Sequence, residues 1–242
     1  MARATDAAFV PTALVTGASR GIGAAVARRL AASGARVVLL ARNDAALRSL
    51  ANELGGGALA LVCDVRDAVA IERTMASLVK TLGGAPDIVV NNAGAFVLAP
   101  AAETSVDVFA ETLAVNLTAP FAVVRALMPA MREAAAGHVV TIGSIADRVT
   151  FPGNAAYAAS KFGLRALHEV LRAELRGSGI RVSLVSPGPV NTDLWNDVDP
   201  DSQPGFTPRD AMLSPDDVAD AVLYVVTAPL TLNVDEMRLS RS

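Results

Sequence analysis

Sulfur chemistry has almost no foothold in this chain. Cys63 is the one cysteine among 242 residues, which rules out an internal disulfide and fits a reducing cytoplasm. It lies in an apolar run, where a thiol reads as a small buried side chain. There are only two histidines. His138 opens a strand-like run and His168 falls in a long helical one, and neither has partners at metal-ligand spacing, so no metal is expected. The net charge of −3 leaves no basic surface for nucleic acid. The longest apolar runs are strand-length, so no membrane span is expected. The first six residues lack the apolar core of a secretion signal. No repeat, linker or low-complexity stretch divides the chain, and residues 1–242 read as one domain.

What is present is apolar and alternating. Hydrophobic residues make up 52% and charged ones 19%, the balance of an α/β fold whose sheet is covered on both faces. After a loose arm (residues 1–10), residues 13–16 read as a buried strand. Gly17-Ala18-Ser19-Arg20-Gly21-Ile22-Gly23 and a helical run over residues 24–33 follow. Strand, glycine turn, helix is what a dinucleotide site requires. Gly17 permits the tight turn, Gly21 lets a pyrophosphate approach the backbone, and Gly23 lets helix and strand pack closely. The helix's unpaired N–H groups then face the phosphates.

A second strand, residues 36–40, ends at Ala41-Arg42-Asn43. An acid there would grip the ribose 2′-hydroxyl of NAD. Arg42 instead suits a 2′-phosphate, and Arg20 is either a second cation or simply solvated. NADP(H) is therefore the preferred cofactor, with NAD(H) as the alternative. Residues 44–54 read as a helix and 58–63 as a third strand. Asp64 and Val65 close that strand, where Asp64 either accepts from an adenine amino group or begins a turn. A helix over 67–82 and a strand over 87–90 lead into Asn91-Asn92-Ala93-Gly94, whose small residues suit a flat ring. Two helices follow, about 103–117 and 120–133, with Asn116 near their joint, where it would hold a water. Pro120 suits a first helical turn.

The strand over 138–143 delivers Ser144 to its carboxyl end. Pro152, Gly153 and Asn154 then start a helix carrying Tyr157 and Lys161 one turn apart on one face. A phenol titrates near 10. An ammonium at ~4 Å and an effective dielectric of ~20 is worth roughly 4 kcal/mol, so the spacing predicts a phenol lowered by two to three units into the range of a general acid/base. The sixth strand, 180–185, ends in residues 186–192, including Pro187, Gly188, Val190 and Thr192. Residues 194–213 are polar and Pro-rich, read as a lid over the substrate; its Trp195 either packs the lid or stacks on substrate. Ser214-Pro215 opens a helix to about Thr227, and residues 233–239 read as a seventh strand.

Thr16-Gly17-x-x-x-Gly21-x-Gly23, Asn91-Asn92-Ala93-Gly94, Asn116, Ser144, Tyr157-x-x-x-Lys161 and Pro187-Gly188 together resemble the short-chain dehydrogenase/reductase family, over nearly all of residues 11–239. The resemblance implies a Rossmann-type, doubly wound, seven-stranded parallel sheet in the order 3-2-1-4-5-6-7. It implies a catalytic tetrad of Asn116, Ser144, Tyr157 and Lys161. Tyr157 would exchange the proton and Ser144 hold the carbonyl oxygen. Lys161 would bind the nicotinamide ribose and lower the phenol, and Asn116 would hold a relay water. Thr192 would contact the carboxamide. The cofactor set is then Gly17, Ser19, Arg20, Gly21, Ile22, Gly23, Arg42, Asp64, Val65, Asn92, Ala93, Gly94, Tyr157, Lys161, Pro187, Gly188, Val190 and Thr192. A carbonyl or alcohol is the implied small-molecule substrate, and a homotetramer or dimer the implied assembly. A silent cofactor-binding regulator would have lost the tyrosine or lysine, and both are present. Two stretches depart from the pattern. Asp147-Arg148 replaces a smaller Gly-containing sequence and is expected to add polar contacts at the pocket mouth. Residues 232–237 lack the Val-Asp-Gly-Gly ending of the fatty-acid-synthesis ketoreductases and look more like serine and 3-hydroxy-acid dehydrogenases and broad ketone reductases.

Overall fold

The computed structural model describes residues 10–242, so the expected amino-terminal arm falls, but for Val10, outside the described residues. The elements alternate: β1 (Thr12–Thr16), α1 (Gly21–Ala32), β2 (Arg36–Ala41), α2 (Asp44–Leu54), β3 (Leu59–Val62), α3 (Ala68–Leu82), β4 (Ile88–Asn91), α4 (Val106–Leu113) and α5 (Ala119–Ala134), then β5 (Gly137–Ile142), α6 (Ala155–Glu174), β6 (Ile180–Pro187), α7 (Pro215–Thr227) and β7 (Glu236–Leu239). All neighbouring strands are parallel, in the order β3-β2-β1-β4-β5-β6-β7. Parallel pairs need crossover connections, and each crossover drops a helix onto one face of the sheet. One apolar layer joins α1, α2 and α7 to the sheet through Val26, Leu30, Leu47, Leu50, Val218 and Val222. The opposite layer joins α3 and α5 through Ile71, Met75, Val123, Leu127 and Met131. Strand residues such as Val37, Val38, Leu39 and Leu40 are closed to water on both sides, which explains the unbroken apolar runs.

Most helices begin on a capping side chain. Asn43 accepts from Ala46 N, Asp67 from Val69 N and Ala70 N, and Ser105 from Val108 N, while Ser214 and Asp217 form a capping box. Helix α1 differs: Arg20 offers no side-chain cap and the first turn carries no acid, so its amino-terminal N–H groups face the cleft free of any side-chain cap. Asn154 precedes α6 without capping it through its side chain.

The two helices expected over 103–117 and 120–133 are one continuous helix, Val106–Ala134, joined by a π-helical turn at Ala114–Thr118. Pro120 lacks an N–H, and the wider turn just before it takes up the lost hydrogen bond. At 29 residues, with a mean hydropathy of 1.4 over an 18-residue window, this helix is long and apolar enough to cross a membrane by length and composition, contrary to the sequence expectation. Its stripe of Val123, Leu127 and Met131 is spent on the core. Strand β7 is shorter than expected because Asn233 bonds sideways, to Val182 O at 3.0 Å and Asp235 Oδ1 at 2.7 Å, and so leaves the ladder.

His138 sits inside β5, 1% exposed, with Nε2 2.7 Å from Ser183 Oγ. Burial, helped by Arg181, pushes the imidazole down to about 3 from its ordinary 6.5. A depressed histidine makes stability fall as pH drops below 6.5, because only the unfolded chain then takes up the proton. His138→Gln should remove this dependence. In urea unfolding at a series of pH values, the stability of wild type relative to the variant should decline on acidification by up to about 1.4 kcal/mol per pH unit between 6.5 and 3. Parallel curves would show that His138 is not held neutral.

Candidate active site

The cleft opens where the strand order reverses, between β1 and β4, whose following helices leave on opposite faces. The Thr16 hydroxyl fastens the two strand ends, accepting from Asn92 N and Ala93 N, both at 3.0 Å. Asn92 returns the contact by donating Nδ2 to Thr16 O at 2.9 Å and Gly17 O at 3.3 Å. Gly17 has φ +66°, and a Cβ there would stand 2.8 Å from Ala93 Cα. A Cβ on Gly23 would lie 2.3 Å from Gly17 O, so both positions exclude any side chain. The resulting cleft of about 740 Å³ is lined by every residue of the expected set except Gly23, which packs behind the turn, and Asn116. Its fit to a dinucleotide rests on the uncapped first turn of α1 beneath these glycines, which presents backbone donors to an anion.

Three arginines stand at the end of the cleft near β2. Arg20 pairs with Asp193 at 3.3 Å. Arg66 pairs with Asp64 at 2.6 Å and Glu111 at 2.7 Å. Arg42 is exposed and forms no ion pair among the described residues. Asp64 also makes the expected turn, accepting from Arg66 N and, through its carbonyl, from Asp67 N. Arg66 was not singled out from the sequence; its i+2 spacing from Asp64 was the available signal.

Helix α6 brings Tyr157 and Lys161 under the ends of β5 and β6. Lys161 is 6% exposed; its Nζ donates to Ile142 O at 3.1 Å and lies 5.6 Å from the centre of the Tyr157 ring. Burial lowers this ammonium to about 8, although Asp147 acts the other way. The same burial raises the Tyr157 phenol above its ordinary value; the Ser144 hydroxyl offsets part of this, and Asp147 adds to it. The depressed phenol expected from the four-residue spacing is therefore corrected: desolvation outweighs the ammonium, which sits over the ring and not at the hydroxyl. Ser144 Oγ accepts from Ala146 N at 3.1 Å, leaving its own proton to donate into the cleft.

Asn116 lies in the π turn, 1% exposed. Its Oδ1 accepts from Ala95 N at 2.8 Å, and its Nδ2 donates to Ala95 O at 2.9 Å and Ser160 Oγ at 3.0 Å. Ser160 in turn donates to Tyr157 O at 2.7 Å. Both amide protons of Asn116 are thus committed within the protein, where they fix α6 against the Ala95 loop. Ser160, unremarked in the sequence, is the link.

The segment expected to form a lid carries two short 3₁₀ turns, Asp193–Trp195 and Arg209–Ala211, and Asp193, Leu194 and Trp195 line the cleft. Arg209 pins it by donating to Asn191 Oδ1, Asn196 Oδ1 and Thr192 O. Trp195 donates Nε1 to Val190 O at 3.0 Å and sets its ring against Phe96. Asp147 and Arg148 do not reach the pocket mouth. Asp147 is 1% exposed, accepting from Ser186 Oγ at 2.7 Å and from Arg148 Nε at 3.1 Å, and Arg148 continues inward to Glu236. This chain of charges ties the turn after Ser144 to β6 and β7, because a short acid at 147 reaches the Ser186 hydroxyl.

Residues 11–203 match the family model described as short chain dehydrogenase. A D-threitol dehydrogenase of Mycolicibacterium smegmatis is 38% identical over 222 residues, covering 89% of this chain and 85% of that protein. The structure of a metagenomic short-chain oxidoreductase in complex with NADP is 36% identical with a TM-score of 0.82, covering 96% and 97% of the two chains. A closed form of serine dehydrogenase complexed with NADP+ is 33% identical with a TM-score of 0.87, covering 94% of each.

Removing the Asp147 carboxylate would strip Ser186 and Arg148 of an acceptor at once. Asp147→Ala should destabilise the fold by about 3 kcal/mol, a melting-temperature drop of roughly 6–12 °C in a chain of this size. Asp147→Asn should fall between the variant and wild type. A drop of less than about 2 °C for the alanine variant would mean that the buried chain of charges holds nothing together.

Proposed function

This chain belongs to the short-chain dehydrogenase/reductase family, and from that premise we propose that it is an NADP(H)-dependent oxidoreductase interconverting a carbonyl compound and an alcohol, with Tyr157 as general acid and base. The observation that carries the proposal is the meeting of Ser144, Tyr157 and Lys161 beside the glycine turn in one cleft. When bound, a nicotinamide dinucleotide supplies or takes up the hydride. The residues do the rest. Ser144 donates its free proton to the carbonyl oxygen, fixing the substrate and favouring negative charge there. Tyr157, a phenol that burial raises further above its ordinary value, gives its proton to the same oxygen. The carbonyl carbon gains a hydride and the oxygen gains the phenolic proton, so carbonyl compound, NADPH and one proton give alcohol and NADP+. Lys161, with a pKa of about 8, is largely charged at neutral pH and stabilises the phenolate left behind. Asn92, Ala93 and Gly94 line the cleft and would present backbone and small side chains to the nicotinamide, and Thr192 stands beside Gly21.

The NADP(H) preference rests on Arg42. The end of β2 holds no carboxylate for a ribose 2′-hydroxyl, and Arg42 is the arginine of the three there without an ion pair among the described residues. A guanidinium–phosphate contact is worth about 1.5–3 kcal/mol. Arg42→Ala should therefore lower kcat/KM for NADPH by roughly 10–100-fold, by the same energy, while leaving NADH nearly unchanged. An equal loss with both cofactors would remove the phosphate assignment. Tyr157→Phe should reduce kcat by about 10²–10⁴-fold while NADPH still binds, as read by the fluorescence of the bound dinucleotide. Undiminished turnover in that variant would end the proposed role of the phenol.

A further inference from the structure

Resting on that oxidoreductase reading, we propose that the substrate is an uncharged ketone or secondary alcohol carrying an aryl ring, and not a polyol, an amino acid or a hydroxy acid. Aromatic residues are scarce in this chain: seven phenylalanines, two tyrosines and one tryptophan. Half of them form a single arc that begins on the proposed acid. Phe96 meets the Tyr157 ring edge-on at 4.9 Å, Trp195 leans on Phe96 at 5.1 Å, Phe206 meets Trp195 at 6.2 Å, and Phe151 meets Phe206 at 6.3 Å. The members come from three separate loops and one helix, so local sequence does not account for the clustering. Apolar side chains in and beside the arc face water: Phe151 is 39% exposed, Ile145 44% and Leu194 39%. Apolar surface left open around a cleft with a few convergent polar groups is the ordinary make-up of a site for an apolar ligand.

The charges of the cleft point the same way. Arg20, Asp64, Arg66, Glu111 and Asp193 are engaged in ion pairs, and Lys161 is bonded to Ile142 O. Arg42 stands at the far end, beyond the glycine turn. Arg148 is turned into the protein and Arg209 is spent on the lid backbone and two asparagines. No uncommitted cation among the described residues stands at the aromatic end to pair a substrate carboxylate. The polar side chains beside the arc are chiefly Ser144 and Tyr157, which serve the reacting oxygen, so the further hydroxyls of a polyol would be buried without partners. An aromatic wall also attracts a quaternary ammonium. The charge that the ion pairs leave unbalanced in this cleft is positive, from Arg42 and the Ile142-bonded Lys161, and it opposes that ligand.

The test uses the full chain with NADPH and compares acetophenone with butanone, acetoacetate, erythrulose and betaine aldehyde. Acetophenone should exceed each of the others in kcat/KM by roughly a hundredfold. Trp195→Ala and Phe151→Ala, both at cleft-lining positions, should each lower the acetophenone value about tenfold, mainly through KM, and lower butanone by a smaller factor. Retained NADPH binding shows that the variants fold. Trp195 is the single tryptophan, so its emission provides a second reading without turnover. In wild type with NADP+, phenylethanol should quench it saturably, and threitol and serine should not. Preference for erythrulose, acetoacetate or betaine aldehyde overturns the inference and leaves the oxidoreductase reading standing. Saturable quenching with no turnover of any carbonyl does the reverse. Neither quenching nor turnover overturns both.

Discussion

The hydroxyl of Thr16 holds the sheet closed at the one place where its connections pull it open. Crossovers leave β1 for one face and β4 for the other, and between their ends the backbone has no helix to cover it. Thr16 Oγ1 takes two amides of the β4 loop, and Asn92 answers with its side chain on Thr16 O and Gly17 O. Each bond is worth only about 1 kcal/mol net. Their importance is positional. They fix Gly17 against Ala93 so closely that a methyl group does not fit, and so decide how wide the cleft stands and where the first turn of α1 points.

On the other side of the cleft, a parallel arrangement fixes α6. Asn116 spends its side chain on the Ala95 loop and on Ser160, and Ser160 reaches the Tyr157 carbonyl. The π turn brings Asn116 to this point. Below, Asp147 takes the Ser186 hydroxyl and Arg148. The phenol and the ammonium are thereby held in a dry region that disfavours charge on both. Burial raises one and lowers the other, so the pair sits nearer to neutral than either group would in water. A buried acid at 147 opposes part of that shift at Lys161 and adds to it at Tyr157. Both effects favour a protonated pair, the state from which a proton is given to a carbonyl.

Much of this was legible in the chain. The alternation of apolar runs with glycine turns fixed the strand and helix order to within a few residues, and the motif spacing placed Ser144, Tyr157, Lys161 and the glycine turn in one cleft. The misreadings share a cause, in that each depended on surroundings. The sign of the Tyr157 shift turns on how deeply α6 is packed, which a four-residue spacing does not contain. Asp147 and Arg148 read as polar contacts at the pocket mouth until Ser186 and Glu236, 39 and 88 residues onward in the chain, are brought beside them. The break at Pro120 looked like a helix boundary because proline usually is one, and a π turn that absorbs it leaves no mark in composition.

The same reasoning explains why the substrate end was the hardest part to read. A cofactor shared by many proteins must be gripped by backbone amides and a few small residues, and these leave fixed spacings in the sequence. A substrate wall needs only shape and the right polarity, and the proposed one draws Phe96, Phe151 and Trp195 from three separate loops. The two ends of the cleft are then opposite in kind. One has backbone donors and a guanidinium without an ion pair among the described residues; the other has rings and committed charges. Tyr157 stands at the border, its ring joined to the arc through Phe96 and its hydroxyl beside Ser144. A ligand bound in both halves would have its reacting carbon fixed between them, because an anion at one end and an apolar ring at the other cannot exchange places without each losing its partner.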